Sequence, residues 1–97
     1  MKIVINTDWG GFSLSKEGED LYRESTGQSY FDACDALNWS WEMRADRTLV
    51  DIIELDAERY GGDRASLKVV EIPDDVEWYI HDYDGMEHIA EKHRTWS

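Results

Sequence analysis

Apolar and polar residues alternate most regularly in the last third of the chain, Ser66 to Trp96. Val76, Trp78 and Ile80 are interleaved with Glu77, Tyr79 and His81. A period of two predicts a half-buried strand. Asp84-Gly85 follows, a dipeptide suited to a two-residue type I′ turn because both residues tolerate positive φ. That turn sets a hairpin register: Tyr83 opposite Met86, Asp82 opposite Glu87, His81 opposite His88 and Ile80 opposite Ile89. Val76, Trp78, Ile80 and Ile89 then form the core side. Tyr79, Tyr83, Met86, Ala90 and both histidines take the other. A helix capped at Asp84-x-x-Glu87 and running through Ala90 and His93 is the competing reading, and the alternation favours the hairpin.

The rest of the chain supplies signal for three more strands and for two or three helices. Lys2–Asn6 carries Ile3, Val4 and Ile5 in succession, a β-branched run that predicts a strand buried on both faces. Gly10-Gly11 reads as a turn, since the lysine and further glycine of a phosphate loop are missing. Ser13 or Ser15 caps a first helix, with Leu14, Leu21 and Tyr22 inward, Gly18 weakening it and Ser25-Thr26-Gly27 ending it. Ser29 to Leu37 spaces Tyr30, Phe31, Cys34 and Leu37 as a short second helix. Trp39, Trp41 and Met43 alternate with polar residues and predict a strand over Asn38–Arg44. The longest helical pattern runs from Thr48 to Tyr60, capped by Asp46 or Thr48. Leu49, Ile52, Ile53, Ala57 and Tyr60 form its stripe, with Gly61-Gly62 as a left-handed stop. Leu67–Ile72 is a strand ended by Pro73, which turns into the hairpin.

This order implies a single small α+β domain over residues 1–97. The expected architecture is a two-layer fold, mainly antiparallel sheet with a C-terminal β-hairpin, and two or three helices packed on one sheet face. Five Trp and five Tyr in 97 residues supply enough apolar surface for a folded core.

Charge changes the picture next. Twenty-two acids against ten bases leave a net charge of −12. That repels nucleic acid and anionic membrane and attracts basic partners. It also confers solubility, the commoner role of acidic surfaces. The sharper reading is imitation of nucleic acid, which presents one charge per ~1.7 Å of duplex. The single cysteine, Cys34, leaves no internal disulfide and fits a reducing cytoplasm. The N-terminus shows no secretory pattern, and no apolar run approaches the ~20 residues that span a bilayer.

Candidate chemistry is sparse. His81 and His88 face each other in the hairpin register, with Cys34, Glu87 or Glu91 as further donors. Two histidines are not a ligand set, and His93 points the other way, so no metal and no cofactor is expected. Asp82 opposite Glu87 places like charges together, which calls for a cation such as Lys92 or Arg94. Asp74-Asp75 and Asp82–Glu87 are close acid pairs of the kind 22 acids produce by chance. Cys34 reads as a buried small apolar residue rather than a nucleophile. The chain carries no nucleophile elbow, HExxH or dinucleotide fingerprint, and the expectation is a non-enzymatic protein.

MKIVIN, then GGFSLS, the central ADRTLVDIIE and finally SLKVVEIPDDVEWYIHDYDGMEHIAEKHRTW resemble a family of small uncharacterised proteins encoded by bacteriophages and prophages. The likeness covers Met1–Ser15, about Arg44–Glu54 and Leu67–Trp96. Residues 23–43 lie outside it. Relatives often read Asp-Pro ahead of the central helix, where this chain has Arg47-Thr48. The resemblance implies a phage protein made in the bacterial cytoplasm, and it brings no catalytic residues. With the charge, it leads to the expectation of a phage accessory protein that binds a host protein with a basic nucleic-acid-binding surface. An anti-CRISPR or anti-restriction inhibitor acting by nucleic-acid mimicry is one such protein. No direct nucleic-acid or membrane contact is expected. The expected surface is Asp74, Asp75, Glu77, Asp82, Asp84, Glu87 and Glu91, joined by Asp51, Glu54 and Glu58. Two alternatives stay open: a self-assembling accessory protein, as a homodimer through exposed Trp39 and Trp41, and a small metal-dependent enzyme at His81 and His88.

Overall fold

The computed structural model of the chain describes residues 1–83 and 86–91. Strand β1 (Lys2–Asn6) lies at the middle of it. Side chains alternate across a strand, so three successive apolar residues need cover on both sides. Val4 faces a cluster that includes Tyr22, Tyr30, Leu49, Ile52 and Leu67. Ile3 and Ile5 face the other way and meet Ile80, with Val70, Ile72, Trp78 and Ile89 around them. All three are buried, as the β-branched run predicts. β1 pairs antiparallel with β2 (Leu67–Glu71), Lys2 opposite Glu71 and Asn6 opposite Leu67.

Strands β3 (Trp78–Tyr83) and β4 (Met86–Glu91) form the expected hairpin in the expected register, Tyr83 opposite Met86 through Ile80 opposite Ile89. The Asp84-Gly85 turn lies outside the described residues. β4 is extended, so the competing helix is not formed. The fold is thus a small α+β arrangement with a C-terminal hairpin. Its strands divide, among the described residues, into two two-stranded sheets. The sequence pattern suggested one sheet for β2 and the hairpin together. Instead Pro73, which lacks a ladder donor, ends β2, and the chain turns at Asp74-Asp75. The hairpin then covers the Ile3–Ile5 face.

Helices cover the Val4 face. α1 (Lys16–Thr26) starts at Ser15, whose hydroxyl accepts from the Gly18 N–H, and ends at Gly27 with φ 85°. α2 (Tyr30–Ala36) is capped by Ser29. α3 (Arg47–Leu55) is capped by Asp46, which accepts from the Leu49 N–H at 3.1 Å. The predicted helix over Thr48–Tyr60 is broken. Asp56 is extended (φ −166°, ψ 95°) and caps a separate single turn, α4 (Ala57–Tyr60). Asp offers its own oxygen to free backbone N–H groups and therefore suits a cap better than a helix interior.

Two further expectations are overturned. Asn38–Arg44 is not a strand. Asn38 and Trp39 have φ of 54° and 58°, and Ser40 then caps a 3₁₀ turn over Trp41–Ala45. Of the three alternating apolar residues only Met43 is buried, so the short alternation reflected no sheet face. Gly61 is not a left-handed stop, because its φ is −76°. The glycine pair serves close packing instead. Gly62 donates to the Ser13 carbonyl at 2.9 Å, and a Cβ there would lie 1.9 Å from Ser13 Oγ. Among the described residues, no helix is long and apolar enough to cross a membrane.

Gly18 is the sharpest test of this packing. Ala has the higher helix propensity by about 1 kcal/mol, yet a Cβ on Gly18 would sit 2.4 Å from the Tyr60 carbonyl oxygen. Gly18→Ala is expected to destabilise by roughly 1–3 kcal/mol, read as a lower urea midpoint. A neutral or higher midpoint would refute the close approach of α1 to α4.

Candidate interaction surface

Pro73 and the turn after it hold Asp74, Asp75 and Glu77 out in solvent. Asp74 accepts from the Met1 amino group at 2.5 Å, and that ammonium holds its carboxyl below the usual value. Asp82, on β3, is exposed as well. Glu91 is placed opposite Trp78, and its side chain, like Asp84 and Lys92 to Ser97, lies outside the described residues. A groove of 480 Å³ runs beside Asp74, lined by Lys2, Arg47, Asp51 and Glu54 among others. Lys2 pairs with Glu54 at 3.1 Å and Arg47 with Asp51 at 3.9 Å. These solvated pairs contribute little to stability. They do remove Asp51 and Glu54 from a field of one sign, while Glu58 stays exposed.

Glu87 does not belong to the acidic surface. It shares the core-side face of the hairpin with Ile80 and Ile89, and it is only 7% exposed. Arg44, from the 3₁₀ turn, grips it with both guanidinium ends, at 2.5 Å to Oε1 and 2.9 Å to Oε2. The Asn6 backbone N–H also donates to Oε1, at 2.8 Å. The register set Glu87 opposite Asp82 and called for a cation, with Lys92 or Arg94 as the expected source; both lie outside the described residues, and the cation found on Glu87 is another. Arg44 supplies it, 43 residues away in the chain. Arginine fits because its planar fork matches a carboxylate and its face stacks on rings. The Arg44 guanidinium lies 3.8 Å over the Phe12 ring and 5.5 Å from the Trp41 ring.

His81 and His88 meet as the register implied. Their ring centroids are 4.8 Å apart, tilted by 38°, and both are exposed. Among the described residues, no group of three or more His, Cys, Asp or Glu side chains is placed to hold a metal ion. Cys34 is buried in the helical cluster. Burial pushes its thiol up, opposed in part by a hydrogen bond with Tyr30 and by Arg44. The thiolate is the nucleophilic form, so this environment suits packing better than catalysis. Burial also pushes the Tyr22 phenol up to about 12. The Tyr30 hydroxyl donates to the Met43 carbonyl at 2.9 Å, pinning α2 to the 3₁₀ turn.

A line of rings leads from this core to the surface. Tyr22 meets Tyr30 at 5.3 Å, Tyr30 meets Phe31 at 5.8 Å and Phe31 meets Trp39 at 6.2 Å. Its outer end, with Trp41, lines a cleft of 110 Å³ above Tyr30, Met43 and Arg44. Trp39 is 59% and Trp41 43% exposed. Both tryptophans are thus exposed, and tryptophan is enriched among interface anchors. The strand reading of residues 38–44 concealed this, although an exposed pair was the signal to look for.

No known protein family, no curated protein and no solved structure matches this chain.

The Arg44–Glu87 pair predicts asymmetric mutational effects. Arg44→Met or Glu87→Leu alone leaves one buried charge bare and is expected to cost ~3–5 kcal/mol. The double variant replaces both, but strands the Asn6 N–H, a loss of ~1–3 kcal/mol. Urea denaturation should therefore show the double variant more stable than either single one. Costs that simply add would disprove the coupling. Cys34 gives a second check. Native protein should react with iodoacetamide far more slowly than urea-unfolded protein at the same pH. Equal rates would show the thiol to be accessible.

Proposed function

We propose that this chain is a small acidic accessory protein of a bacteriophage. In this reading it binds a host protein through that protein's basic nucleic-acid-binding surface, and so modulates or inhibits it. The observation that carries the reading is the excess of exposed acids over bases at the surface. Of ten bases against 22 acids, Lys2, Arg44, Arg47 and Arg59 are each already engaged by an acid. Asp74, Asp75, Glu77 and Asp82 stand exposed on the hairpin side. Asp20, Glu24, Asp32, Asp35 and Glu42 stand exposed on or beside α1, α2 and the 3₁₀ turn. A field of one sign on several faces speeds encounter with a basic groove and repels nucleic acid and anionic membranes. The sequence resemblance to phage-encoded proteins supports the bacterial cytoplasm as the place of action.

The test is a pull-down from bacterial lysate with this chain as bait. The expected partner binds nucleic acid, elutes at high salt and is released by excess duplex DNA. Reversing Asp74, Asp75 and Glu77 to lysine should slow its association on the order of tenfold at low salt. A partner retained equally at all salt concentrations and indifferent to DNA would overturn the reading.

A further inference from the structure

The chain leaves α2 through two successive residues in the left-handed region, Asn38 and Trp39. Asn tolerates that region, whereas a bulky residue there is strained. Burial does not compensate, because Trp39 is among the most exposed large side chains described. Two backbone hydrogen bonds hold the turn, from the Trp39 N–H to the Cys34 carbonyl at 2.8 Å and from the Ser40 N–H to the Leu37 carbonyl at 3.2 Å. The turn sets the Trp39 ring against Phe31, and Trp41 lines the same 110 Å³ cleft. That volume is well below the ~300 Å³ at which drug-sized ligands begin, so the cleft accepts a side-chain head.

Two acids lie close to these rings along the chain. Asp35 is one helical turn after Phe31 on α2 and therefore on the same helix face, and Glu42 follows Trp41 in the 3₁₀ turn. Both are exposed. Arg44 at the cleft floor is already neutralised by Glu87. The chain itself shows what such surroundings hold, since Arg44 lies between the Phe12 ring and a carboxylate. The outer rings and acids repeat that chemistry toward solvent.

We propose that the cleft at Phe31, Trp39 and Trp41 is an anchor site for an arginine side chain of a basic partner protein. The inference rests on the acidic-binder reading above and names where that partner is gripped. The guanidinium stacks on indole, and its N–H groups reach Asp35 or Glu42. Lysine fits less well, because its compact ammonium is more strongly hydrated and lacks a planar face. A second copy of this chain is a poor occupant, since each copy brings a net charge of −12.

The experiment uses fluorescent nona-arginine and nona-lysine peptides, titrated with the full chain at low salt and read by anisotropy. Nona-arginine is expected to bind about tenfold tighter. Trp39→Gly is expected to erase that preference without lowering the melting temperature, because glycine accepts positive φ. Trp41→Ala should weaken the preference. Equal affinity for both peptides, or an arginine preference that survives Trp39→Gly, overturns the anchor and leaves the acidic-binder reading standing. Binding of neither peptide overturns both. A sedimentation mass that rises with concentration, and does so only with Trp39 present, assigns the cleft to a second copy and overturns the anchor.

Discussion

A carboxylate buried at the join between hairpin and first strand makes the fold interdependent. Glu87 from β4 cannot remain charged there without partners, because removing a bare charge from water is far costlier than any single packing gain. Its partners come from distant parts of the chain. Arg44 arrives from the 3₁₀ turn and the Asn6 N–H from β1. Arg44 in turn lies over Phe12, from the loop that follows β1. The hairpin, the central strand and the helical side are therefore positioned by one cluster of charge-assisted bonds. The remaining ion pairs described lie at the surface, where screening leaves them little influence.

Around that cluster, β1 imposes the layering. An apolar strand needs cover on both faces, and a chain of this size has few elements to provide it. Helices take the Val4 side and the hairpin takes the Ile3–Ile5 side. The polar end of the strand is closed by Asn6, which is fully buried. Its side chain accepts from the Asp8 and Ser66 N–H groups and donates to the Asp8 carbonyl. A buried amide satisfied in this way costs little.

In the proposed binding, two features of the surface would act on different steps. Dispersed carboxylates set a long-range field, which would govern how fast a basic partner arrives. The proposed anchor at the aromatic cleft would govern how long it stays. The acids of the hairpin connection and the rings at the end of α2 thus need not compete as explanations.

The hairpin was legible because it depends on nearest neighbours: a period of two, a turn dipeptide and a register that follows from them. The two-sided burial of β1 was legible for the same reason, and so was a serine cap for α1, with Ser13 and Ser15 both open and Ser15 the one found. Residues 38–44 were not, because two left-handed residues and a 3₁₀ turn carry no periodic signal over so short a span. The break at Asp56 was hidden because an unbroken apolar stripe overrode a single capping residue. Among the candidate site residues, Asp74, Asp75, Glu77 and Asp82 are exposed as their polarity suggests. Glu87 is not: the hairpin register sets it on the core-side face with Ile89, but it sets Asp82 there too, and nothing local separates those two. By itself the sequence determined the charge, the β1 strand, the C-terminal hairpin and the pairing of His81 with His88. Only the tertiary structure decided which acid is buried and which tryptophans are exposed. Those depend on what the chain places opposite each residue, and Arg44 meets Glu87 across a separation that no local pattern reports.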